Sequence, residues 1–392
     1  MHAFVELCDL EADQSTVSSA ATAEGMNFGV KDIIDVAGLA TRNGSAACRD
    51  ARPAAADAPV VAALREAGAR LVGKTVTTEF AFTDPTNCRN PYDLKRSPGG
   101  SSSGSGAAVA AGLLDVALGT QTAGSLCRPA AYCGAVGFKP SYGLISTHGV
   151  TPLAPSFDTV GILAGSVDLA RRAFQVVHSE DRGAKLLDPH ECTAGCMLID
   201  ASTEVATDTL AAFRESKAAL GEFTAHVADF NAEIDLSRIV FDHRAVMQRE
   251  AFDAHGHLLV GEFTDLIGPR FAAALRAGSK VAAAEYTDAL GRLEEERLAF
   301  WNRASGIDVM LTLPVPDGAP LLDGTTGFQD WLTPWTVFGG PLICLPWGQD
   351  ALGRPRSVML AGHPGTELTL LRVAEALERK APDLPQPTLP VG

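Results

Sequence analysis

The chain has 392 residues, of which 46% are hydrophobic and 20% are charged. This composition is ordinary for a globular protein and excludes a disordered or collagen-like chain. Its 47 acidic residues exceed its 32 basic residues by 15, giving a formal net charge of −15, which argues against nucleic-acid and membrane partners because both carry negative charge. The amino terminus lacks the basic stretch of a secretory signal, so we expect a cytoplasmic protein.

Helical and strand patterns alternate along the chain. The first predicted element begins near Met26, and the strand-like run 27–34 carries Lys31 in its middle. Residues 57–67 predict a helix, because Asp57 can cap it and Pro59 falls in its first turn. Further helices are predicted at 105–114, 168–178, 282–303 and 366–379, and further strands at 70–73, 116–119, 308–313 and 342–345. This alternation predicts a layered α/β domain at 25–380, between an amino-terminal segment (1–24) and a proline-rich tail (381–392).

Residues 68–75 satisfy the GxxxxGK[ST] pattern of a phosphate-binding loop. That loop requires a strand before its first glycine and a helix that opens at its lysine. Here a predicted helix precedes Gly68 and the following residues favour a strand. We therefore interpret the match as a helix end followed by a strand and a turn.

Metal-ligand spacing is absent from the sequence. The closest cysteine pairs, Cys192 with Cys196 and Cys127 with Cys133, lack CxxC spacing, which favours reduced thiols. Positions 255 and 257 are both histidines, but residues two apart point to different sides of a helix. We predict no metal site.

Two Gly/Ser segments, 98–106 and 123–125, flank a predicted helix and strand. Many such runs are flexible linkers, but glycines beside a serine at a tight turn also allow backbone N–H groups to converge on one spot. A serine nucleophile needs that geometry. Its base could be His148, the histidine near these segments, or Lys31, whose pKa would fall if the side chain were buried. An ordinary surface charge is the alternative for Lys31.

These motifs resemble the amidase signature family. The resemblance is densest in 31–38 (KDIIDVAG), 99–105 (GGSSSGS), 117–125 (ALGTQTAGS) and 128–143 (RPAAYCGAVGFKPSYG), with further matches at 73–80, 156–161 and 339–346. It implies the amidase signature fold, an α/β architecture in which helices cover both faces of a central mixed sheet.

The resemblance also implies a Ser–Ser–Lys triad. Ser125 would be the nucleophile, Ser101 the bridging serine behind a cis peptide bond, and Lys31 the terminal base. The family pattern places the oxyanion donors at Thr122, Ala123 and Gly124, and supporting residues at Ser102 and Thr120. It implies no metal and no cofactor.

The sequence departs from the common family pattern after the second Gly/Ser segment. Gln121 replaces the usual aspartate, and the arginine falls at Arg128, three residues beyond Ser125. This variant resembles the malonamidase-type branch, in which that arginine is associated with a substrate carboxylate. We therefore predict that Arg128 and Gly100 contact the substrate. A structural ion pair between Arg128 and an acid such as Asp158 is the alternative.

The predicted activity is hydrolysis of a small carboxamide to an acid and ammonia through an acyl-enzyme, with a carboxylate-bearing, malonamate-like amide as a candidate substrate. Two alternatives stay open: a glutaminase-type subunit of an amidotransferase, which would need partner subunits, and a catalytically silent binding module. The expected partner is a small-molecule amide. The sequence leaves open whether the chain forms a homodimer.

Overall fold

In the computed structural model, which describes residues 1–8, 22–178, 186–199, 204–322 and 324–389, the strands join one mixed sheet. Within these residues they are β1 (Phe4–Leu7), β2 (Asn27–Lys31), β3 (Arg70–Thr75), β4 (Val116–Gln121), β5 (Val136–Lys139), β6 (Thr159–Ala164), β7 (Thr193–Cys196), β8 (His226–Asp229), β9 (Val309–Thr312), β10 (Leu342–Gln349) and β11 (Pro355–Gly362). Their order across the sheet is β1-β3-β2-β4-β6-β5-β10-β11-β9-β7-β8. Strands β2, β3 and β4 run parallel, whereas β4 and β6 are antiparallel.

Helices pack on both faces of this sheet, as the family resemblance implies. In the described residues they are α1 (Pro59–Glu66), α2 (Ser103–Ala110), α3 (Cys127–Cys133), α4 (Val167–Val177), α5 (Thr207–Leu220), α6 (Leu236–His255), α7 (Pro269–Gly278), α8 (Ala283–Arg303), α9 (Thr333–Val337) and α10 (Glu367–Glu378). Helices α2 and α3 pack together, as do α4 and α10, and α6 packs against α7, α8 and α9. The predicted α/β/α fold is confirmed.

The central strands are buried along their whole length. Every residue of β4 and of β6 is buried, which is typical of strands covered on both faces. Because β2 and β4 are parallel neighbours, their carboxyl ends meet at one edge of the sheet. Lys31 ends β2 and Gln121 ends β4, so the lysine motif and the second Gly/Ser segment emerge side by side.

Most predicted elements lie within a few residues of the observed ones. Gly68 follows α1, and residues 70–75 form β3, so the interpretation of 68–75 as a helix end and strand is confirmed. The prediction that order begins near Met26 is wrong, because β1 pairs antiparallel with β3 at the edge of the sheet. β1 is an edge strand in which no residue is fully buried, so it lacks the apolar run that marks the central strands. Residues 9–21 of the predicted amino-terminal segment and 390–392 of the predicted tail lie outside the described residues.

The described residues contain no helix with the combined length and apolarity that crossing a lipid bilayer demands.

Candidate active site

Lys31 is fully buried at the carboxyl end of β2. Its Nζ lies 2.7 Å from Ser101 Oγ and 2.7 Å from Thr120 Oγ1. Among the described residues, no carboxylate forms an ion pair with this amine. Burial lowers the pKa of Lys31 to about 7, and the more distant charge of Asp158 opposes that fall only in part. The amine can therefore be neutral near pH 7.

Two other lysines are equally buried, but their neighbours differ. Lys74 Nζ lies 3.3 Å from Asp32 Oδ1, so this amine has a carboxylate partner. Lys139 donates to two carbonyl oxygens, which carry no proton to give up. Only Lys31, of these three, combines a hydroxyl neighbour with the lack of an acid partner. That combination is what a general base needs.

Ser101 follows a cis peptide bond with Gly100, as the family resemblance implies. The next residue ties this segment to both neighbouring segments of the site. Ser102 Oγ lies 3.3 Å from both the backbone nitrogen and the carbonyl oxygen of Thr120, and the Ser102 N–H donates to the Ser125 carbonyl at 3.1 Å. The predicted triad segments are thus brought together. Lys31 contacts Ser101 directly, and Ser125 lies on the adjoining segment.

The turn before Ser125 is held by an acid and a histidine. Antiparallel pairing of β4 with β6 brings Asp158, which precedes β6, beside Thr122, which follows β4. Thr122 Oγ1 donates to Asp158 Oδ1 at 2.5 Å, and His243 Nε2 lies 2.9 Å from the Thr122 carbonyl oxygen. Burial lowers the pKa of His243 to about 4, so its ring is neutral and its Nε2–H donates to that carbonyl.

Gln121 connects the same turn to α3 and α9. Its Oε1 accepts the backbone N–H groups of Leu126 and Cys127, and its Nε2 donates to Thr336 Oγ1 at 3.0 Å. Thr336 Oγ1 in turn donates to the Ala123 carbonyl at 2.6 Å. The glutamine therefore uses both ends of its amide. An aspartate at this position could accept the N–H groups but could not donate to Thr336.

Arg128 is buried, and its guanidinium binds backbone and amide oxygens. Nε and Nη2 both donate to the Gly100 carbonyl, at 3.0 and 2.6 Å, and Nη1 donates to the Gly327 carbonyl and to Gln329 Oε1. The oxygens of Asp158 instead accept Thr122 Oγ1 and backbone N–H groups. The alternative prediction of an ion pair between Arg128 and Asp158 is therefore wrong for that acid.

Two adjoining cavities reach this site. Ser125 and Ala123 line a small one of about 10 Å³. A larger one of about 370 Å³ is lined by Arg128, and Thr83 and Gln329 line both cavities. The space beside Ser125 itself is thus narrow, and the room for a small ligand lies in the adjoining cavity at Arg128.

His148, the other candidate base, lies in a loop with an exposed side chain. Its backbone N–H donates to Ser146 Oγ, and it takes no part in the contacts around Lys31 and Ser125. Of the two candidate bases, the structure brings Lys31 to the site.

The sequence did not indicate His243, Thr336 or Gln329. His243 lies in α6, within the region 180–300 that shows no recognisable motif, and its contact with Thr122 spans 121 residues. Thr336 and Gln329 precede the motif at 339–346 and have no spacing signal of their own. Asp158 could have been found as a site residue, since it lies in the motif at 156–161.

Comparisons with known proteins show the family to which this chain belongs. A family model described as amidase matches residues 2–371. Amidase 1 of Arabidopsis thaliana is 45% identical over 177 residues, which cover 43% of this chain and 41% of that protein. A glutamyl-tRNA(Gln) amidotransferase subunit of Anaeromyxobacter sp. (strain K) is 32% identical over 421 residues, covering 94% of this chain and 85% of that protein. A solved crystal structure of an amidase matches with a TM-score of 0.85 and 28% identity, over 97% of this chain and 92% of that one. The chain belongs to the amidase family, and it is a hydrolase that acts on amide C–N bonds.

Proposed function

We propose that this amidase hydrolyses a small carboxamide to an acid and ammonia through an acyl-enzyme on Ser125, with Lys31 as the base and Ser101 as the bridge. One observation carries the proposal: a fully buried amine, without an acid partner among the described residues, lies 2.7 Å from a serine hydroxyl. A neutral amine beside a hydroxyl can accept the hydroxyl proton. A lysine bound only to carbonyl oxygens has no such proton beside it, and an acid partner favours the charged amine.

In the proposed first step, Lys31 accepts the proton of Ser101 while Ser101 accepts the proton of Ser125. The Ser125 oxygen then forms a bond to the amide carbonyl carbon, and the carbonyl oxygen becomes an oxyanion. When the C–N bond breaks, the proton returns through Ser101 to the departing nitrogen, which leaves as ammonia. Water, deprotonated by the same pair, adds to the acyl-enzyme and releases the acid.

The N–H groups of Thr122, Ala123 and Gly124 are the proposed oxyanion donors. In a trans peptide the C=O and N–H bonds point in opposite directions. His243 binds the carbonyl of Thr122, and Thr336 binds the carbonyl of Ala123. The N–H groups of Ala123 and Gly124, which belong to the same two peptide bonds, are therefore fixed in the direction opposite to those carbonyls. A donor fixed before the reaction lowers the barrier, by roughly 3–4 kcal/mol in measured cases.

The substrate is proposed to be a short amide that carries a carboxylate, as the resemblance to the malonamidase-type branch implies. Arg128 lines the larger cavity and its guanidinium binds the carbonyl of Gly100, the residue before the bridging serine. Arg128 therefore forms part of one wall of the proposed binding site, and Gly100, which lines neither cavity, lies behind it as the acceptor of the guanidinium. The relatives are named as several types of amidase, so the proposed assignment to the malonamidase-type branch rests on Gln121 and Arg128.

A second candidate function is supported by the similarity to the glutamyl-tRNA(Gln) amidotransferase subunit over 94% of this chain. In that case the chain would release ammonia from glutamine and pass it to an acceptor bound by a partner protein. The two candidates differ in substrate. Hydrolysis of free carboxamides without a partner favours the amidohydrolase, whereas ammonia release from glutamine that depends on a co-purifying protein favours the amidotransferase.

The test is an ammonia-release assay on acidic, aliphatic and aromatic carboxamides together with glutamine. We expect the purified chain to release ammonia from at least one short carboxamide, and Ser125→Ala to abolish this release. Ser146→Ala, which alters an exposed loop serine, is the control and should behave as wild type. Release that persists in Ser125→Ala would contradict the proposal.

A further inference from the structure

The larger cavity beside the site contains a second arginine that the sequence did not indicate. The cavity of about 370 Å³ is lined by Thr83, Arg128, Arg270, Thr325, Thr326, Gly327, Phe328, Gln329 and Asp330. Its volume falls in the range of sites for small ligands. Thr83 and Gln329 also line the cavity of Ser125, so the two cavities adjoin.

Arg128 has little hydrogen-bonding capacity left for such a ligand. A guanidinium has five N–H donors, and four bonds from Arg128 are already directed at Gly100, Gly327 and Gln329. A bidentate pair with a carboxylate needs two parallel N–H groups. Arg128 supplies positive charge and one further N–H, so it cannot bind a carboxylate in this way without losing a contact.

Arg270 has the capacity that Arg128 lacks. Its side chain is exposed, its Nη1 donates to the Thr83 carbonyl at 3.1 Å, and no carboxylate of the described residues forms an ion pair with it. Its Nη2 lies near the loop at Gly324, 3.9 Å from where a Cβ atom on that glycine would stand. The guanidinium thus extends along the cavity wall with donors available.

The backbone of Arg270 is fixed, so its side chain starts from a defined place. Asp84 accepts the backbone N–H groups of Arg270 and Phe271, and Glu79 accepts that of Gly268. These acids therefore cap the first turn of α7. Because the Arg270 side chain already lines the cavity, no movement of α7 is needed to bring it into contact with a ligand there.

The charges that line the cavity favour an anion of charge −1. Among the described residues that line the cavity, Arg128 and Arg270 contribute two positive charges and Asp330 contributes one negative charge, which sums to about +1. The protein as a whole carries −15. A region of positive charge on so acidic a protein is a selective place for an anion, and a monoanionic carboxylate matches it better than a phosphate dianion does.

We infer that Arg270 binds the carboxylate of the substrate and so determines the preference for acid amides, while Arg128 contributes charge and holds Gly100. This inference rests on the proposed function, and it assigns the substrate class to a residue of α7. Arg270 is a specificity-determining residue here and takes no part in the proton transfers.

Malonamate and malonamide are suitable probes, because they have nearly the same shape and differ in the carboxylate. We expect Arg270→Ala to lower kcat/KM for malonamate at least tenfold and to change that for malonamide less than twofold. Arg270→Lys should retain part of the preference for malonamate over malonamide. Arg276→Ala, which removes an exposed arginine from the same helix outside the cavity, is the control and should leave both values unchanged. Equal losses for the two amides, or no loss for malonamate, would refute the inference.

A binding measurement separates this inference from the proposed function. Malonamate is titrated calorimetrically into Ser125→Ala, which cannot turn it over. The Kd should rise at least tenfold when Arg270→Ala is combined with Ser125→Ala, and it should also rise with salt concentration. An unchanged Kd would refute the role of Arg270 even in an active enzyme. Conversely, strong Arg270-dependent binding in a wild-type protein that releases no ammonia would support the carboxylate site and contradict the proposed function.

Discussion

The Nζ of Lys31 and the Oγ of Ser101 lie 2.7 Å apart in a part of the fold that water does not reach. The two residues are 70 positions apart in the chain and come from different segments: Lys31 ends β2, and Ser101 lies two residues before α2. Burial removes the hydration that would favour the charged amine, so the pair can exchange a proton near pH 7.

The first prediction concerns the pH dependence of the reaction. Since burial lowers the pKa of Lys31 to about 7, kcat/KM should rise with pH through about 7 and level off above it. Neutral His243, whose pKa is about 4, should contribute no titration in this range. Initial rates from about pH 5 to 9 test this. Lys31→Met should lower kcat at least 10³-fold. The control is Lys95→Met, which alters an exposed lysine and should match wild type. A profile that is flat over this range would rule out Lys31 as the base.

The second prediction concerns stability. The ordinary pKa of lysine is about 10.4, so between pH 7 and 10 the unfolded chain holds a proton on Lys31 that the folded chain has released. Wild type should therefore gain up to about 1.4 kcal/mol of unfolding free energy per pH unit over this range, relative to Lys31→Met. Urea unfolding of both proteins at pH 7, 8, 9 and 10 measures the difference. A difference that stays constant with pH would mean that Lys31 is charged in the folded protein.

The third prediction concerns Asp158, which positions Thr122 and whose charge raises the pKa of Lys31. Asp158→Asn keeps the size but removes the charge and one acceptor. We expect kcat to fall about 10²-fold with little change in KM, and the pH midpoint of kcat/KM to move down. Asp50→Asn, at a side chain that is 91% exposed, is the control. A lower kcat with an unshifted midpoint would restrict Asp158 to a structural role.

The fourth prediction separates the two arginines of the cavity. Because the buried Arg128 satisfies the carbonyls of Gly100 and Gly327, Arg128→Ala should lower the unfolding free energy by about 2–5 kcal/mol. It should also lower kcat for both amides, because Arg128 holds Gly100, and lower kcat/KM further for malonamate, because one positive charge of the cavity is lost. Denaturation curves and kinetics with both amides check this. A loss confined to malonamate, in a variant as stable as wild type, would instead make Arg128 the main carboxylate ligand.

The sequence predicted the parts of the site that lie next to strands with strong patterns. Lys31 ends a buried apolar strand, and the segment from Thr120 to Ser125 begins in another, so local pattern and motif were enough to locate them. The family resemblance then supplied their roles. The fold class followed in the same way, because the alternation of helices and strands is local information.

The residues that the sequence missed reach the site through tertiary contacts alone. His243 contacts a residue 121 positions away, and Thr336 contacts one 213 positions away. Arg270 has the sequence context of an ordinary exposed charge near the start of a helix, and only the cavity reveals its surroundings. The alternative pairing of Arg128 with Asp158 failed because other donors occupy that acid, which spacing does not reveal.

The nucleophile offers the most direct measurement of the central claim, that Ser125 is acylated with help from Ser101 and Lys31. Intact-protein mass spectrometry after reaction with a fluorophosphonate should show one label per chain, and peptide mapping should place it on Ser125. Ser125→Ala should take up no label, and Lys31→Met should label at least 10²-fold more slowly. An unlabelled wild-type chain, or a label that maps to another residue and persists in Ser125→Ala, would contradict the account.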